Sequence, residues 1–269
     1  FRLNCDIGTD ISFDEIREAH DAVLVATGVY KARDISAPGI GMGGIVPALD
    51  YLTASNRKSL GDEVADFDSG LLNAEGRDVV VIGGGDTAMD CVRTAIRQKA
   101  NSVTCLYRRD RANMPGSQRE VANAEEEGVD FRWLSAPQAF LGDNHVRAVQ
   151  AQKIHLGQPD ATGRQVPQII EDSSHEIPAD LVIKALGFDP EDIPTMFGAP
   201  ELEVSKWGTI GVDWRTMMTN LPGVFAAGDI VRGASLVVWG VRDGRDAAES
   251  IHSYIMAQSE VPRMAASGA

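Results

Sequence analysis

The fold of this chain is decided by residues 79–88, which read Val79-Val80-Val81-Ile82-Gly83-Gly84-Gly85-Asp86-Thr87-Ala88. An apolar run typical of a buried strand leads into three glycines and then into a helical pattern. Gly83, Gly85 and Ala88 match the pattern G-x-G-x-x-A, in which the first glycine allows a tight turn and the second lets a pyrophosphate approach the backbone. The small third residue lets the helix pack closely on the strand. The alternative is a glycine-rich turn without a ligand.

A helix that begins directly after such a turn offers free amides and the positive end of its dipole to a pyrophosphate. The sequence therefore predicts a dinucleotide site. Its predicted binding residues are Gly83, Gly84, Gly85, Asp86, Thr87 and Ala88.

The segments around this motif predict a strand, a helix and a second strand, at Asp78–Ile82, Asp86–Gln98 and Ser102–Tyr107. The helix is indicated by apolar residues at helical spacing. These residues are Ala88, Cys91, Val92, Ala95 and Ile96. Together the three elements indicate an α/β unit of the doubly wound, Rossmann-like class.

The end of the second predicted strand indicates which dinucleotide is bound. An NAD-binding protein places an acidic residue there, whereas this chain has Arg108 and Arg109 after Tyr107. Four arginines and one aspartate lie between residues 102 and 119, although the whole chain has a net charge of −14. Arginine suits a 2′-phosphate, so Arg108, Arg109 and Arg111 predict NADP(H) as the cofactor. The alternative is a surface arginine cluster held in salt bridges.

A third signal lies near the carboxyl end of the chain, where a predicted strand at Val224–Ala227 ends in Gly228 and Asp229. The Asp229 carboxylate would accept a hydrogen bond from the ribityl chain of a flavin, and amides near Val237 and Val238 would face its ring. Two further strands end in glycine and support a pair of related nucleotide-binding domains. The residues at these ends are Thr27, Gly28 and Gly187.

Composition and charge exclude several classes of protein. The 269 residues favour two domains, and 43% hydrophobic with 24% charged residues is typical of a folded protein. The charge of −14 argues against nucleic acid or anionic lipid as a partner, and the apolar stretches are too short to cross a membrane. Without a signal peptide, and with Cys5, Cys91 and Cys105 forming no C-x-x-C pair, we expect reduced thiols in a cytoplasmic protein.

Other segments are predicted from local pattern alone. We expect a helix at Ile45–Ala54, a polar linker at Ser55–Gly76, a hairpin-rich insertion at Val129–Ile177 and a long helix at Leu236–Ala257. Two local features are also predicted. They are a capping box formed by Ser117 and Glu120, and a solvated acidic face at Glu125, Glu126 and Glu127.

Several long motifs, in order along the chain, resemble the small (beta) subunit of glutamate synthase. These motifs are the run Gly83–Thr94, Tyr107-Arg108-Arg109-Asp110, Asn113-Met114-Pro115-Gly116-Ser117, Arg119-Glu120-Val121, the run Ala226–Gly233 and Asp243-Gly244-Arg245. The resemblance covers essentially the whole chain.

The resemblance implies an electron-input module. In that family NADPH delivers hydride to FAD, and electrons pass through iron–sulfur clusters to the large subunit, which forms glutamate from glutamine and 2-oxoglutarate. The family's first flavin motif and the cysteines for its 4Fe-4S clusters are absent from this chain, which begins with Phe1. We therefore expect a piece of a longer protein, an incomplete FAD site and a colourless preparation.

The expected architecture is an NADP-binding domain inserted in an incomplete FAD-binding domain. The predicted boundaries are 1–75 for the tail of the FAD domain with a linker, 76–190 for the NADP domain and 191–269 for the returning part of the FAD domain. No catalytic acid or base is predicted, because hydride transfer from nicotinamide to flavin requires alignment of the two rings. The five histidines are scattered and predict no metal site.

Two alternatives to the glutamate synthase small subunit remain. One is a related NADPH-dependent flavoprotein that reduces ferredoxin or a pyrimidine-reducing partner. The other is a nucleotide-binding module without catalysis.

Overall fold

The computed structural model describes residues 1–159 and 165–260. The chain forms two compact units. The central unit is Ala32–Gly187, and the terminal unit comprises Phe1–Lys31 together with the residues from Phe188 on. The predicted doubly wound α/β fold is confirmed, with one unit inserted in the sequence of the other.

In chain order the strands are β1 Val23–Val25, β2 Lys31–Ala32, β3 Ile45–Pro47, β4 Asp78–Ile82, β5 Ser102–Leu106, β6 Asp130–Arg132, β7 Ser135–Gly142, β8 Val146–Pro159, β9 Gln165–Ile169, β10 His175–Pro178, β11 Leu181–Lys184, β12 Phe188–Asp189 and β13 Val224–Ala226. The helices are α1 Phe13–Ala19, α2 Ala48–Ser59, α3 Ala65–Asp68, α4 Asp86–Arg97, α5 Gln118–Glu126, α6 Ile193–Met196, α7 Asp229–Arg232 and α8 Val237–Glu260.

A parallel sheet organises the central unit, in the order β3-β11-β4-β5-β6. Its middle strand β4 is apolar from Val79 to Ile82 and buried on both faces, as a parallel strand covered by helices must be. Helix α4 packs on it through the predicted apolar stripe, although Ile96 is only half-buried and Met89 is buried as well. The predicted strand–helix–strand unit is therefore confirmed.

An antiparallel sheet occupies much of the segment predicted to be rich in hairpins. Strands β7, β9 and β10 each pair with the long strand β8, and all three pairings are antiparallel. The segment also contributes β6 to the parallel sheet.

Residues 45–76 differ from the prediction in two ways. Ile45–Pro47 is a strand rather than the start of a helix, because it pairs with β11. Ser55–Gly76 is not a linker, since α2 continues to Ser59 and a buried group follows it. This group consists of Val64, Leu72 and Ala74.

The compact units also divide the chain at other positions than the predicted domain boundaries. The first division lies between Lys31 and Ala32, because β3 and α2 pack with the central unit. The second lies between Gly187 and Phe188, close to the predicted 190. Which unit binds which cofactor stays a prediction.

The predicted capping box at α5 is wrong. Ser117 is the N-cap residue, but its side chain accepts no hydrogen bond from the helix, and the Glu120 carboxylate contacts Arg93 instead. The geometry of a capping box occurs at α1, where Ser12 and Glu15 bond reciprocally.

The terminal unit has a small core around the parallel pair β1 and β13. Phe13 of α1 packs there against Phe197, with ring centroids 5.0 Å apart. The long closing helix is confirmed as α8, and the short α7 precedes it. Among the helices of the described residues, none combines the length and apolar character that a membrane crossing needs.

Gln98 connects three parts of the central unit at the end of α4. Its side-chain oxygen accepts hydrogen bonds from the Tyr51 hydroxyl at 2.9 Å and the Ala74 amide at 2.8 Å, and its amide group donates to the Ser55 hydroxyl at 3.0 Å. The residues before β4 are held to α2 and α4 in this way.

Gln98→Ala is expected to destabilise the central unit by about 2 kcal/mol, because two donors lose their acceptor. Native-state hydrogen exchange of the β4 amides measures this loss. Arg97→Ala is the control, since that neighbouring side chain is 59% exposed and its ion pair with Glu127 contributes little. Equal effects of the two variants would contradict the role of Gln98.

Candidate functional site

Two glycines in the turn between β4 and α4 are required because neighbouring atoms leave no room for a side chain. Gly83 has φ +152°, and a Cβ there would strike the carbonyl oxygen of Ala185. A Cβ on Gly84 would run into the ring of Tyr107. The ends of β11 and β5 therefore press on this turn from two sides, so the backbone passes where no side chain fits.

Gly85 is different, because the fold itself does not require a glycine there. It is the N-cap residue of α4 with φ −89°, and among the described residues no atom lies within 4 Å of a Cβ built on it. The open space lies directly before the first turn of α4, whose amides have no partner inside the helix. Ala88 is fully buried, as close packing of helix and strand requires. These features fit a pyrophosphate on the amides of residues 85–87.

The side chain of Asp86 is used within the protein. Its carboxylate accepts a hydrogen bond from the Ser117 amide at 2.9 Å, and the Gly116 amide donates to the Gly84 carbonyl at 3.0 Å. These two bonds tie residues 108–117, here called the arginine loop, to the glycine turn. Of the predicted site residue Asp86, only the backbone amide is left for a phosphate.

The arginines of the loop are not equivalent. Arg111 is paired with Glu125 at 2.7 Å, and Arg109 donates to the Gln165 carbonyl at 3.2 Å. Arg108 is exposed and makes no ion pair or hydrogen bond within the described parts of the chain, and the same holds for Arg119. The alternative stated from the sequence, a surface arginine cluster held in salt bridges, therefore applies to Arg111. Arg108 is available to a ligand.

The acidic residues near the loop are engaged elsewhere. Asp110 accepts hydrogen bonds from the amide and the side chain of Asn113, at 2.9 and 2.7 Å. Arg93 of α4 contacts Glu120 and is paired with Glu127 at 2.6 Å. The hydrogen bond from Arg93 lowers the pKa of Glu127, so this part of the expected solvated face is an ionised cross-link between α4 and α5.

Cys91 and Cys105 are part of the core beneath the strands and helix that flank the glycine turn. Cys91 and Cys105 are fully buried, and burial raises the pKa of the Cys105 thiol to about 12 and that of Cys91 further above its usual range. Neutral buried thiols of this kind are unreactive. The Cys105 thiol lies 3.5 Å from the Gly83 carbonyl oxygen, to which it can donate a weak hydrogen bond.

Gly187 lies at the same edge of the parallel sheet. It follows β11, which pairs in parallel with β4, so the two strands end side by side. Its φ of +89° requires glycine, and its carbonyl accepts a hydrogen bond from the Arg33 amide at 3.0 Å. The structure thus brings Gly187 to the edge that carries the glycine turn.

The terminal unit has a second edge of the same kind. Strands β1 and β13 are parallel, so Thr27-Gly28 and Gly228-Asp229 follow their carboxyl ends. Gly28 and Gly228 have φ of +72° and +79°, and no atom of the described residues lies within 4 Å of a Cβ on Gly228. A glycine with open space beside a carboxylate fits a ribityl chain.

The start of α8 is open to solvent. Val237 and Val238 are 79% and 62% exposed, and Leu236 before them is exposed too. The sequence missed the short helix α7, which begins at Asp229 and precedes α8. An exposed apolar helix start fits the edge of a flavin ring.

His20, His145 and His175 each contact a backbone carbonyl nearby. Over residues 1–159 and 165–260, His, Cys, Asp and Glu side chains form no group that could hold a metal ion.

Comparison with known proteins agrees with this geometry. A family model described as pyridine nucleotide-disulphide oxidoreductase matches residues 8–257. The chain is 67% identical over 262 residues to a glutamate synthase (NADPH) small chain from Azospirillum brasilense, covering 97% of this chain and 54% of that protein. It is 68% identical over 255 residues to a putative glutamate synthase (NADPH) small chain from Cereibacter sphaeroides, covering 95% and 61%. The resemblance stated from the motifs is confirmed, and the chain spans little more than half the length of these relatives.

A solved structure supports the fold. A mutant of FprA from Mycobacterium tuberculosis matches with a TM-score of 0.77 at 18% identity, covering 96% of this chain and 69% of that chain. At this identity the likeness concerns the fold alone.

Gly85→Val is expected to leave the fold intact and to weaken NADPH binding at least about tenfold, because the side chain occupies the space before the α4 amides. Isothermal titration calorimetry measures the affinity, and thermal unfolding checks the fold. Gly41→Val is the matched control, since a Cβ on that glycine also meets no atom. Unchanged NADPH affinity in a folded Gly85→Val variant would reject the placement of the pyrophosphate.

Replacing Arg108 and Arg109 together by alanine is expected to raise the Kd of NADPH about tenfold or more while changing that of NADH little, because charge-assisted bonds to the 2′-phosphate are lost. Arg108→Ala alone is expected to cause most of this change. Arg147→Ala, at an exposed arginine of β8, is the control. Equal losses for the two nucleotides would refute the phosphate assignment.

Proposed function

The chain belongs to the pyridine nucleotide-disulphide oxidoreductase family, and we propose that it is the NADPH-oxidising part of an electron-input flavoprotein of the glutamate synthase small-subunit type. In this proposal the central unit binds NADPH and the terminal unit contributes to an FAD site. The nicotinamide and the flavin, when bound, would supply the hydride donor and the hydride acceptor.

One observation carries the proposal. At a single edge of the parallel sheet lie the open space beside Gly85 and the guanidinium of Arg108, which has no partner among the described residues. The two belong to segments that hydrogen bonds tie together. A helix start holds the pyrophosphate, and an arginine next to it suits the 2′-phosphate that distinguishes NADPH from NADH. Arg109 supports the loop through Gln165, and Arg111 is released to the phosphate only if its pair with Glu125 opens.

The terminal unit is proposed to hold the flavin from two directions. When bound, the flavin supplies the acceptor for the hydride. Asp229 would accept a hydrogen bond from a ribityl hydroxyl, Thr27-Gly28 and Gly228 would leave room for the ribityl chain, and the Val237 and Val238 amides would face the ring. No side chain of this protein needs to move a proton, because the protein's task is to align two rings and to exclude water.

The further route of the electrons is proposed from the relatives. Proteins 67–68% identical to this chain are named as glutamate synthase small chains. We propose that electrons leave the flavin through 4Fe-4S clusters outside this chain and reach a glutamate synthase large subunit, in the cytoplasm. There they would serve the synthesis of glutamate from glutamine and 2-oxoglutarate.

A chimera tests the proposal, in which this chain replaces the 262 matched residues of the Azospirillum brasilense relative. Anaerobic NADPH is expected to bleach the flavin absorption of the chimera much faster than NADH does. Together with the Azospirillum large subunit the chimera is expected to form glutamate. Gly85→Val in the chimera should slow the bleaching, whereas Gly41→Val should not.

The outcomes separate the parts of the proposal. A flavin-loaded chimera that NADPH does not reduce would overturn the oxidoreductase function. Rapid reduction without glutamate formation would leave that function in place and reject the large subunit as the electron acceptor.

A further inference from the structure

We infer that Asp243 is a positioning residue for the flavin edge of the terminal unit: through Arg232 and the Gly228 amide it fixes the Gly228-Asp229 turn against helix α8. The inference rests on the proposed function, since the turn is the one assigned to the flavin. No role was given to Asp243 by the sequence, although Asp243-Gly244-Arg245 is among the motifs of the chain.

Asp243 is a buried carboxylate with 1% of its side chain exposed. It accepts hydrogen bonds from Nε and Nη2 of Arg232, both at 2.6 Å, which is the bidentate geometry of a strong charge-assisted pair. The Gly228 amide also faces this carboxylate and contributes to lowering its pKa, less than Arg232 does. The bonds from Arg232 hold the pKa of Asp243 below its usual value, so the carboxylate is ionised at neutral pH.

The guanidinium of Arg232 is itself held in place. It lies 4.8 Å from the ring centroid of Trp214 and 5.0 Å from that of Trp239. Stacking on two indole rings restricts an arginine side chain that would otherwise move freely. The cation thus presents its two nitrogens to Asp243 in one orientation.

These contacts join helix α7, which begins at Asp229, to helix α8. Gly228 is the N-cap residue of α7, Arg232 is the last residue of that helix, and Asp243 lies in the second turn of α8. Asp229 follows Gly228 directly, so the direction of its carboxylate depends on this turn. Asp243 therefore sets how Asp229 and the start of α8 are presented to the same ligand.

A buried ion pair is weak evidence for a role in stability alone. Replacing both partners by apolar residues is often neutral or stabilising, whereas removing one leaves an unpaired buried charge. This difference separates a positioning role from a structural one. A double variant without either charge is expected to keep the packing and to lose the carboxylate that faces the Gly228 amide.

The test compares Asp243→Asn with Asp246→Asn in the chimera with the Azospirillum brasilense relative, because this chain by itself is expected to hold an incomplete FAD site. Asp246 lies three residues further along α8, is 53% exposed and is only loosely paired with Arg242 at 3.6 Å. FAD is added to each protein, and its affinity is measured from the quenching of flavin fluorescence. Hydrogen exchange of the Gly228 amide is measured without FAD.

Asp243→Asn is expected to weaken FAD binding and to speed exchange of the Gly228 amide, each about tenfold or more, because the charged acceptor is lost. Asp246→Asn is expected to change neither. If Asp243→Asn does not fold, the double variant Arg232→Met with Asp243→Leu is measured instead. It is expected to fold and still to bind FAD weakly, and Asp243→Glu is expected to restore part of the affinity.

Wild-type FAD affinity in the folded Asp243 variants would overturn the inference while leaving the flavin assignment in place. A chimera with this chain's unaltered residues that binds no added FAD would overturn the flavin assignment and the inference together. The two failures are therefore distinguishable.

Discussion

The central unit depends on close contact between the glycine turn and the strands beside it. Gly83 lies against the carbonyl of Ala185 and Gly84 against the ring of Tyr107, so no side chain fits at either position. This contact brings the start of α4 to the carboxyl edge of the sheet, where Gly85 leaves the space before the helix amides open. The chemistry proposed for the unit requires that space, because the pyrophosphate is proposed to bind the accessible and aligned amides at the start of α4.

A protein with a net charge of −14 repels a polyphosphate unless basic side chains near the binding site are not neutralised by acidic ones. The structure meets this condition by engaging the acidic residues around the arginine loop. Asp86 and Asp110 accept hydrogen bonds from backbone amides, and Glu120 and Glu127 contact Arg93. Arg108 is thereby left without a counter-ion among the residues that the structure describes, which leaves its charge for a ligand phosphate.

The terminal unit uses a buried carboxylate for a related purpose. The Asp243 side chain is buried, and its negative charge is neutralised by Arg232, whose guanidinium lies between two tryptophan rings. Such a pair has one well-defined geometry, because a misplaced charge in a buried site is costly. In both units, then, a carboxylate contributes to the structure beside the proposed ligand edge: Asp86 accepts a hydrogen bond from the arginine loop, and Asp243 pairs with the last residue of α7.

The sequence by itself determined the strand–helix–strand unit, the glycine turn and the hairpin-rich segment, because periodicity and glycine position are properties of neighbouring residues. Only the tertiary structure decided that residues 55–76 are packed, since their polar composition hides the few residues that become buried, such as Leu72 and Ala74. It also decided that Glu120 does not cap its helix and that Arg111 is neutralised, because Arg93 and Glu125 are partners distant in sequence. Which partner a charged side chain binds depends on all the residues that the fold brings near it, and the local sequence pattern does not specify those residues.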